Sequence, residues 1–274
     1  VGNGSDEVLH LLAGVFLDRG RRAVVAGPPY GLHRIVARWA GAEVVEVPLR
    51  DFRHDLEAMV AASRPGDWIV VTNPHNPTGT AVSPTALRDL VLALPPGRLL
   101  LVDEAYVHFL DPEWQPNLVE LLSRQPALVI CRTFSKAYGL AGLRIGYALA
   151  DPAIVELVER VRPPFNVGSA AQAAAAAALE DEGHVAQSVA LVREGRQRLL
   201  ADCRRLGLEA IPSQANFVLV RDEVGWASRL AEEGIFVRPG STLGIPGWAR
   251  VTVGTSEEMD RLVAALARVV IGAS

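Results

Sequence analysis

The sequence predicts an α/β protein: a mostly parallel sheet covered by helices on both faces, followed by a smaller α+β domain. Three observations predict it. Over the first two thirds of the 274 residues, short β-rich apolar runs alternate with helix-period patterns, as in a parallel sheet joined by helical crossovers. After Arg162 the texture changes to a Pro163-Pro164 break, an alanine-dense stretch and one long amphipathic helix, beyond which short strands and helices return. Finally, 50% hydrophobic and 21% charged residues describe a chain that can bury a sizeable core and has no reason to stay disordered.

In chain order, the periodicity predicts a helix over Asp6–Leu17, a strand at Ala23–Ala26, a helix at Leu32–Trp39 and a strand at Val44–Pro48. A helix at Leu56–Ala62, a strand at Trp68–Thr72, a helix at Pro84–Leu94 and a strand at Leu99–Val102 follow. Next come a helical pattern at Leu118–Ser123, strands at Leu128–Arg132 and Ile145–Leu149, and a helix at Ala153–Val161. The alanine run around Ser169–Leu179 reads as a buried helix, because alanine is the best helix former and allows close packing. The amphipathic helix covers 184–206, and beyond it strands at Glu209–Pro212, Phe217–Arg221, Phe236–Arg238 and Ala249–Val253 alternate with helices at Trp226–Glu233 and Glu257–Val270. The expected division is a large α/β domain over 1–183 and a small α+β domain over 184–274, with the 184–206 helix as connector.

Charge and motif content exclude several classes of function. The formal net charge is −4, which offers no field for nucleic acid. No apolar run approaches the ~18–20 residues of a membrane span, and no leader pattern is visible, so the expected address is the cytoplasm. Cys131 and Cys203 have neither metal-ligand spacing nor disulfide density and read as core residues. No metal site is expected.

One count points to chemistry. Of 27 cationic residues, a single one, Lys136, is lysine. A lysine amine can lose its proton and condense with a carbonyl, which a guanidinium cannot do. In open α/β sheets ligands gather beyond the carboxyl ends of the strands, and three strand ends carry unusual polar residues. Asn73-Pro74-His75-Asn76-Pro77-Thr78-Gly79 follows the first, with ordinary turn chemistry as the alternative reading. Asp103-Glu104-Ala105-Tyr106 ends the second, where a helix-capping aspartate is the alternative. The third runs from Arg132 to Tyr147 and places Thr133 and Ser135 before Lys136, with Arg144 downstream. Hydroxyls and a guanidinium around a lysine suit a phosphate monoester next to the carbonyl that the lysine condenses with, which implies pyridoxal phosphate.

Thr133-Phe134-Ser135-Lys136 with Gly142-Leu143-Arg144-Ile145-Gly146 resembles the cofactor-attachment motif of fold-type I pyridoxal-phosphate aminotransferases. Within these, the chain most resembles the histidinol-phosphate aminotransferase family. Supporting stretches span the chain: Gly2 to Glu7, Asn76 to Gly79, Val102 to Tyr106, Pro163 to Val167, Ser213 to Phe217, Val237 to Pro239 and Arg250 to Thr255. The resemblance implies that Lys136 holds the cofactor as a Schiff base and then carries the proton, while Asp103 faces the pyridine nitrogen. Asn76 and Tyr106 would bond the phenolic oxygen, and Tyr30 would stack on the ring. Ser5 and Asp6, opening a helix after Gly4, would join Thr133, Ser135 and Arg144 around the phosphate, Asp6 being also a good N-cap type. Arg238 and Arg250 would clamp the anionic end of the substrate.

The implied reaction is amino exchange between histidinol phosphate and 2-oxoglutarate, in a homodimer with the active site near the interface. Threonine-phosphate decarboxylation and aromatic amino-acid transamination share the same cofactor shell and are the nearest rivals. A non-catalytic effector-binding module is the remote one, lowered by the absence of a helix-turn-helix or basic segment. Family members begin with a further arm ahead of the Gly-Asn-Gly-Ser-Asp motif, whereas this chain starts one residue before it, so a chain lacking that arm is expected.

Overall fold

A computed structural model describes residues 1–271. Strand β1 (Gly2–Asn3) runs into helix α1 (Gly4–Phe16), followed by β2 (Arg22–Gly27), α2 (Gly31–Trp39), β3 (Glu43–Pro48), α3 (Leu56–Ala62) and β4 (Trp68–Thr72). Next come α4 (Pro84–Leu92), β5 (Leu99–Asp103), β6 (Leu128–Thr133), β7 (Ile145–Ala150), α5 (Pro152–Glu159), α6 (Ser169–Glu180) and α7 (Glu182–Arg205). The chain continues through β8 (Ala210–Ile211), β9 (Phe217–Arg221), α8 (Trp226–Glu232), β10 (Arg238–Pro239), β11 (Trp248–Thr252) and α9 (Ser256–Ile271).

Seven strands form one sheet in the order β1-β7-β6-β5-β4-β2-β3. From β3 to β6 the pairing is parallel throughout, and only β7 and β1 add antiparallel edges. The central strands read as unbroken apolar runs because both faces are covered. Alternate residues divide between two cores: Val24, Ile69, Val71, Leu100, Val102 and Ile130 pack with Met59 of α3 and Leu87 and Val91 of α4. Their neighbours Val25, Trp68, Val70, Leu101, Val129 and Cys131 pack with Leu9 and Leu12 of α1, Val36 of α2 and Ile154 of α5. Each fully buried aliphatic chain of this kind contributes roughly 1.5–3 kcal/mol. The register aligns Thr72 with Asp103 and Asp103 with Cys131, so the polar strand ends meet along one rim of the sheet.

Helix starts follow capping chemistry. Asp55, Ser83, Asp151 and Asp181 each accept a backbone N–H at the start of α3, α4, α5 and α7, and proline occupies the first helical turn of α4 and α5, where its missing N–H is not needed. The second sheet is antiparallel, in the order β10-β11-β9-β8. Its core joins Val218, Val220, Ala249 and Val251 to Leu199 and Cys203 of α7, Trp226 and Leu230 of α8, and Met259 and Leu262 of α9. Helix α7 also reaches the first sheet: Val185, Val189 and Val192 pack with Tyr106, Phe109 and Ala137.

Four expectations need correction. Only Ala171 and Ala175 of the alanine helix α6 are buried; they lie one turn apart over Phe134 and Ile145, and the helix's other residues are exposed or half-buried. Asp6 is no N-cap: Asn3 precedes α1, and Asp6 sits inside its first turn. The segment expected at Phe236–Arg238 pairs only from Arg238 onward, leaving Phe236 82% exposed. Leu118–Leu121 is a short 3-10 turn where a longer helix was expected.

Candidate active site

All ten residues that the resemblance places around the cofactor line one cavity of about 170 Å³ at the rim of the large sheet. These are Ser5, Asp6, Tyr30, Asn76, Asp103, Tyr106, Thr133, Ser135, Lys136 and Arg144, with Thr72, Ala105 and Ala141 completing the wall.

Lys136 leaves the end of β6 in a tight turn, in which the Gly139 N–H bonds its carbonyl at 2.9 Å and Gly139 takes φ +70°, a region glycine enters freely. The ammonium lies 5.3 Å over the ring of Tyr106. Lys136 is exposed, yet the surrounding protein holds its pKa below the usual lysine value. Burial is the main cause, Arg250 adds to it, and Asp103 and Asp6 oppose it. A lysine held down in this way carries more of the neutral, nucleophilic form.

Asp103 ends β5 and is 4% exposed. One carboxylate oxygen accepts the Ala105 N–H at 3.1 Å, and the other lies 3.1 Å from Nε2 of His33. No α-helix follows it, only the three-residue turn Val107–Phe109 headed by Tyr106, so the carboxylate is not a helix cap. His33 is buried, and among the described residues its Nδ1 finds no partner. Sequence reasoning missed it, although its spacing of three from Tyr30 at the start of a helix puts both on one face; their rings meet edge to face at 5.5 Å. Burial and the nearby carboxylates of Asp6 and Asp103 push the Tyr30 phenol up to about 12. Burial, with Asp103 and Tyr30 nearby, raises Tyr106 to about 12 as well, against Arg250.

Lining the same cavity as the lysine is a cradle built around Arg144 that depends on glycine. The Arg144 guanidinium bonds the Ser135 hydroxyl at 3.3 Å and the Asp6 carboxylate at 3.1 Å. A Cβ on Gly4 would run into that guanidinium, and one on Gly146 would strike the backbone N of Ser5. The start of α1 therefore presents its free N–H groups and positive dipole end beside a cation, as anion sites do.

The small sheet meets the cavity's wall at Asn76. Arg238 and Arg250 are cross-strand partners, but they are placed differently. Arg250 bonds a residue of the smaller cavity's wall: its Nη1 donates to Asn76 Oδ1 at 2.7 Å, and its guanidinium stacks 4.8 Å over Phe217. Burial lowers its pKa, with Arg238 adding to the effect and Tyr106 opposing it. Arg238 is exposed, and both arginines line a larger cavity of about 650 Å³ with Phe236, Met259 and Leu262. That cavity is the roomier one but holds no lysine, so the chemistry belongs to the smaller. A buried ion pair beneath the site also escaped sequence reasoning: Arg132 Nε donates to Glu104 at 2.7 Å, tying the ends of β5 and β6 together. Among the described residues no helix is long and apolar enough to cross a membrane, and no cluster of three or more His, Cys, Asp or Glu could hold a metal.

One lysine beside a buried carboxylate and a glycine-lined anion cradle, at the carboxyl ends of a parallel sheet, is equipped for carbonyl–amine condensation next to a bound phosphate. The chain belongs to the class I and II aminotransferases, whose family model matches residues 1–266. It is 43% identical over 273 residues to histidinol-phosphate aminotransferase 2 of Ralstonia nicotianae, a match covering 97% of this chain and 73% of that protein. The histidinol-phosphate aminotransferase of Sinorhizobium meliloti, solved in complex with pyridoxal-5'-phosphate, superposes with a TM-score of 0.92 at 31% identity, over 100% of this chain and 76% of that one. The aspartate aminotransferase of Thermus thermophilus with maleate gives a TM-score of 0.86 at 28% identity, over 98% and 75% of the two chains.

Proposed function

We propose that this transaminase uses pyridoxal phosphate to exchange an amino group between histidinol phosphate and 2-oxoglutarate. The observation that carries it is the sole lysine in a cavity that it shares with Arg144, whose guanidinium packs against Gly4 at the start of α1. When bound, the cofactor supplies an electrophilic carbonyl and an electron-withdrawing ring. Lys136 anchors it and moves the proton at the substrate α-carbon. Asp103, oriented by His33 and the Ala105 N–H, holds a proton at the ring nitrogen. Asn76 and Tyr106 bond the phenolic oxygen, and Tyr30 covers the ring. Ser5, Thr133, Ser135 and Arg144 hold the phosphate, with Asp6 orienting Arg144.

Arg250 and Arg238 bind the anionic end of the substrate, and two cross-strand guanidiniums favour a donor carrying a phosphate dianion. A half-reaction screen tests this choice: histidinol phosphate should bleach the bound cofactor's absorbance faster than phenylalanine or tyrosine, with no carbon dioxide released. Preference for the aromatic amino acids, or decarboxylation of threonine phosphate, would replace it.

We also propose a homodimer acting in the cytoplasm, with residues 1–183 and 184–274 as its two domains. Support for the dimer comes from exposed apolar side chains, with Phe165 at 98% and Leu143, beside Arg144 in sequence, at 41%, because monomers seldom leave large apolar side chains open in patches. The separate cores of the two sheets support the division. Light scattering that returns a monomer mass at micromolar concentration would remove the dimer.

A further inference from the structure

Residues 50–53 form a tight two-residue turn in which Arg50 and Arg53 exchange both backbone hydrogen bonds at 2.9 Å. Its central residues, Asp51 and Phe52, both take left-handed backbone, at φ 50° and 62°. Such turns favour Asn-Gly, and a bulky phenylalanine there is an outlier. Strained positions of this kind persist where the surroundings over-determine them. Two sets of contacts do so here.

The first runs through the ring. Phe52 packs edge to face on Trp248 of β11, with centroids 5.0 Å apart, in a cluster with Ile211, Leu219 and Ile245. The second runs through the carbonyl. Thr80 Oγ1 donates to the Phe52 oxygen at 2.7 Å, so its own contact with Thr78 Oγ1 at 2.8 Å must be accepted from the Thr78 hydroxyl. The Thr78 oxygen, 2.9 Å from His75 Nδ1, then accepts the Nδ1–H. Each hydroxyl has one proton, so the direction is assigned: His75 to Thr78 to Thr80 to the Phe52 carbonyl. This leaves His75 Nε2 without its proton, and among the described residues no donor meets it within hydrogen-bond geometry.

The two routes close on each other. His75 precedes Asn76, whose amide oxygen holds Arg250 at 2.7 Å, and Arg250 lies two residues beyond Trp248 on β11. We propose that Phe52 is a positioning residue for Arg250: its ring sets where β11 lies, its carbonyl anchors the Asn76 loop, and only the left-handed conformation serves both. The proposal deepens the transaminase reading and rests on it for the identity of the anion that Arg250 holds.

The test uses the full chain loaded with pyridoxal phosphate, in three forms: wild type, Phe52→Gly and Phe52→Tyr. Glycine relieves the backbone and removes the ring, so the variant should fold, whereas tyrosine keeps the ring. Calorimetry with succinate, an unreactive dicarboxylate, reads Arg250 directly. Kinetics with the amino donor and 2-oxoglutarate read KM against kcat, and thermal melting reads stability. Phe52→Gly should weaken succinate binding and raise both KM values about ten-fold, the size of one misplaced charged hydrogen bond, at nearly unchanged kcat and without a fall in Tm. Phe52→Tyr should match wild type. A merely structural role would lower Tm and leave the succinate Kd within two-fold, and that result overturns the proposal. Wild-type protein that binds succinate but transaminates no donor would instead sink the functional reading, since the succinate comparison among the three forms stands without turnover.

Discussion

The two sheets treat their functional residues in opposite ways. On the large sheet, Asp103 and Thr133 end strands that are buried on both faces; Asp103 is held by His33 of α2 and the Ala105 N–H, and Thr133 by the Ile145 carbonyl of β7 and the Ser135 N–H. On the small sheet, Arg238 and Arg250 lie on the edge pair β10–β11, one exposed and the other reaching across to Asn76. The difference separates two demands. Bond-making groups need fixed geometry and low dielectric, which an interior strand end provides. A group that meets an incoming anion must first do so in water, as Arg238 on the edge strand β10 can, whereas Arg250 on the interior strand β11 is already held by Asn76.

Substitutions can break that comparison, beginning with the largest effect. Lys136→Ala should remove about 10⁴-fold or more of kcat, because no other lysine exists to replace it. Borohydride reduction of the wild type should fix the cofactor on the peptide containing Lys136, and label elsewhere would reassign the site. Arg132→Met leaves Glu104 buried without its partner and should destabilise the fold by roughly 3–5 kcal/mol in urea melts. Asp260→Asn, which removes the exposed pair with Arg198 on the small-sheet side, should leave the urea midpoint unmoved. Equal shifts would erase the contrast.

Asp103→Asn should keep cofactor bound but lower kcat by roughly 10²–10³-fold; near-normal turnover would make the carboxylate structural. Arg250→Ala should raise KM about 10- to 150-fold for every anionic donor. Arg238→Ala should do so only for a phosphorylated one, and equal penalties for both donor types at Arg238 would argue against histidinol phosphate.

The smallest effect concerns pH. In the chain without cofactor, the pKa of Lys136 lies below the ordinary 10.5, so between those values the unfolded chain binds more protons than the folded one. Stability attributable to Lys136 therefore rises with pH through that window and is lowest below it. Comparing wild type with Lys136→Met across pH 7–10 should show the wild type gaining on the variant, and a flat difference would mean that the folded site leaves the lysine unshifted.

Much of this was legible in the sequence because the large sheet is locally encoded. Trp68–Thr72 and Leu56–Ala62 were expected and found with the same limits, since interior strands are continuous apolar runs and helix starts carry their own caps. The sole lysine and the polar strand ends stood out for the same reason. What stayed hidden is non-local. The Arg250–Asn76 bond joins residues 174 apart and the His33–Asp103 pair residues 70 apart, and nothing in either local stretch announces its partner. The alanine helix misled because composition records the propensity to coil and says nothing of which faces are covered. Asp6 misled because a capping residue type was taken for a capping position.

Helix α7 has a mechanical consequence. Its 24 residues make a rod about 36 Å long, with its first half against the Tyr106 segment and its second half in the core of the small sheet. A rod anchored at one end works as a lever. A tilt of about 5° about the Tyr106 end would carry the far end through about 3 Å over that length, roughly the span of one hydrogen bond. The sheet bearing Arg250 could thus swing toward or away from the lysine while the helix itself stays unbent and every one of its internal hydrogen bonds is kept.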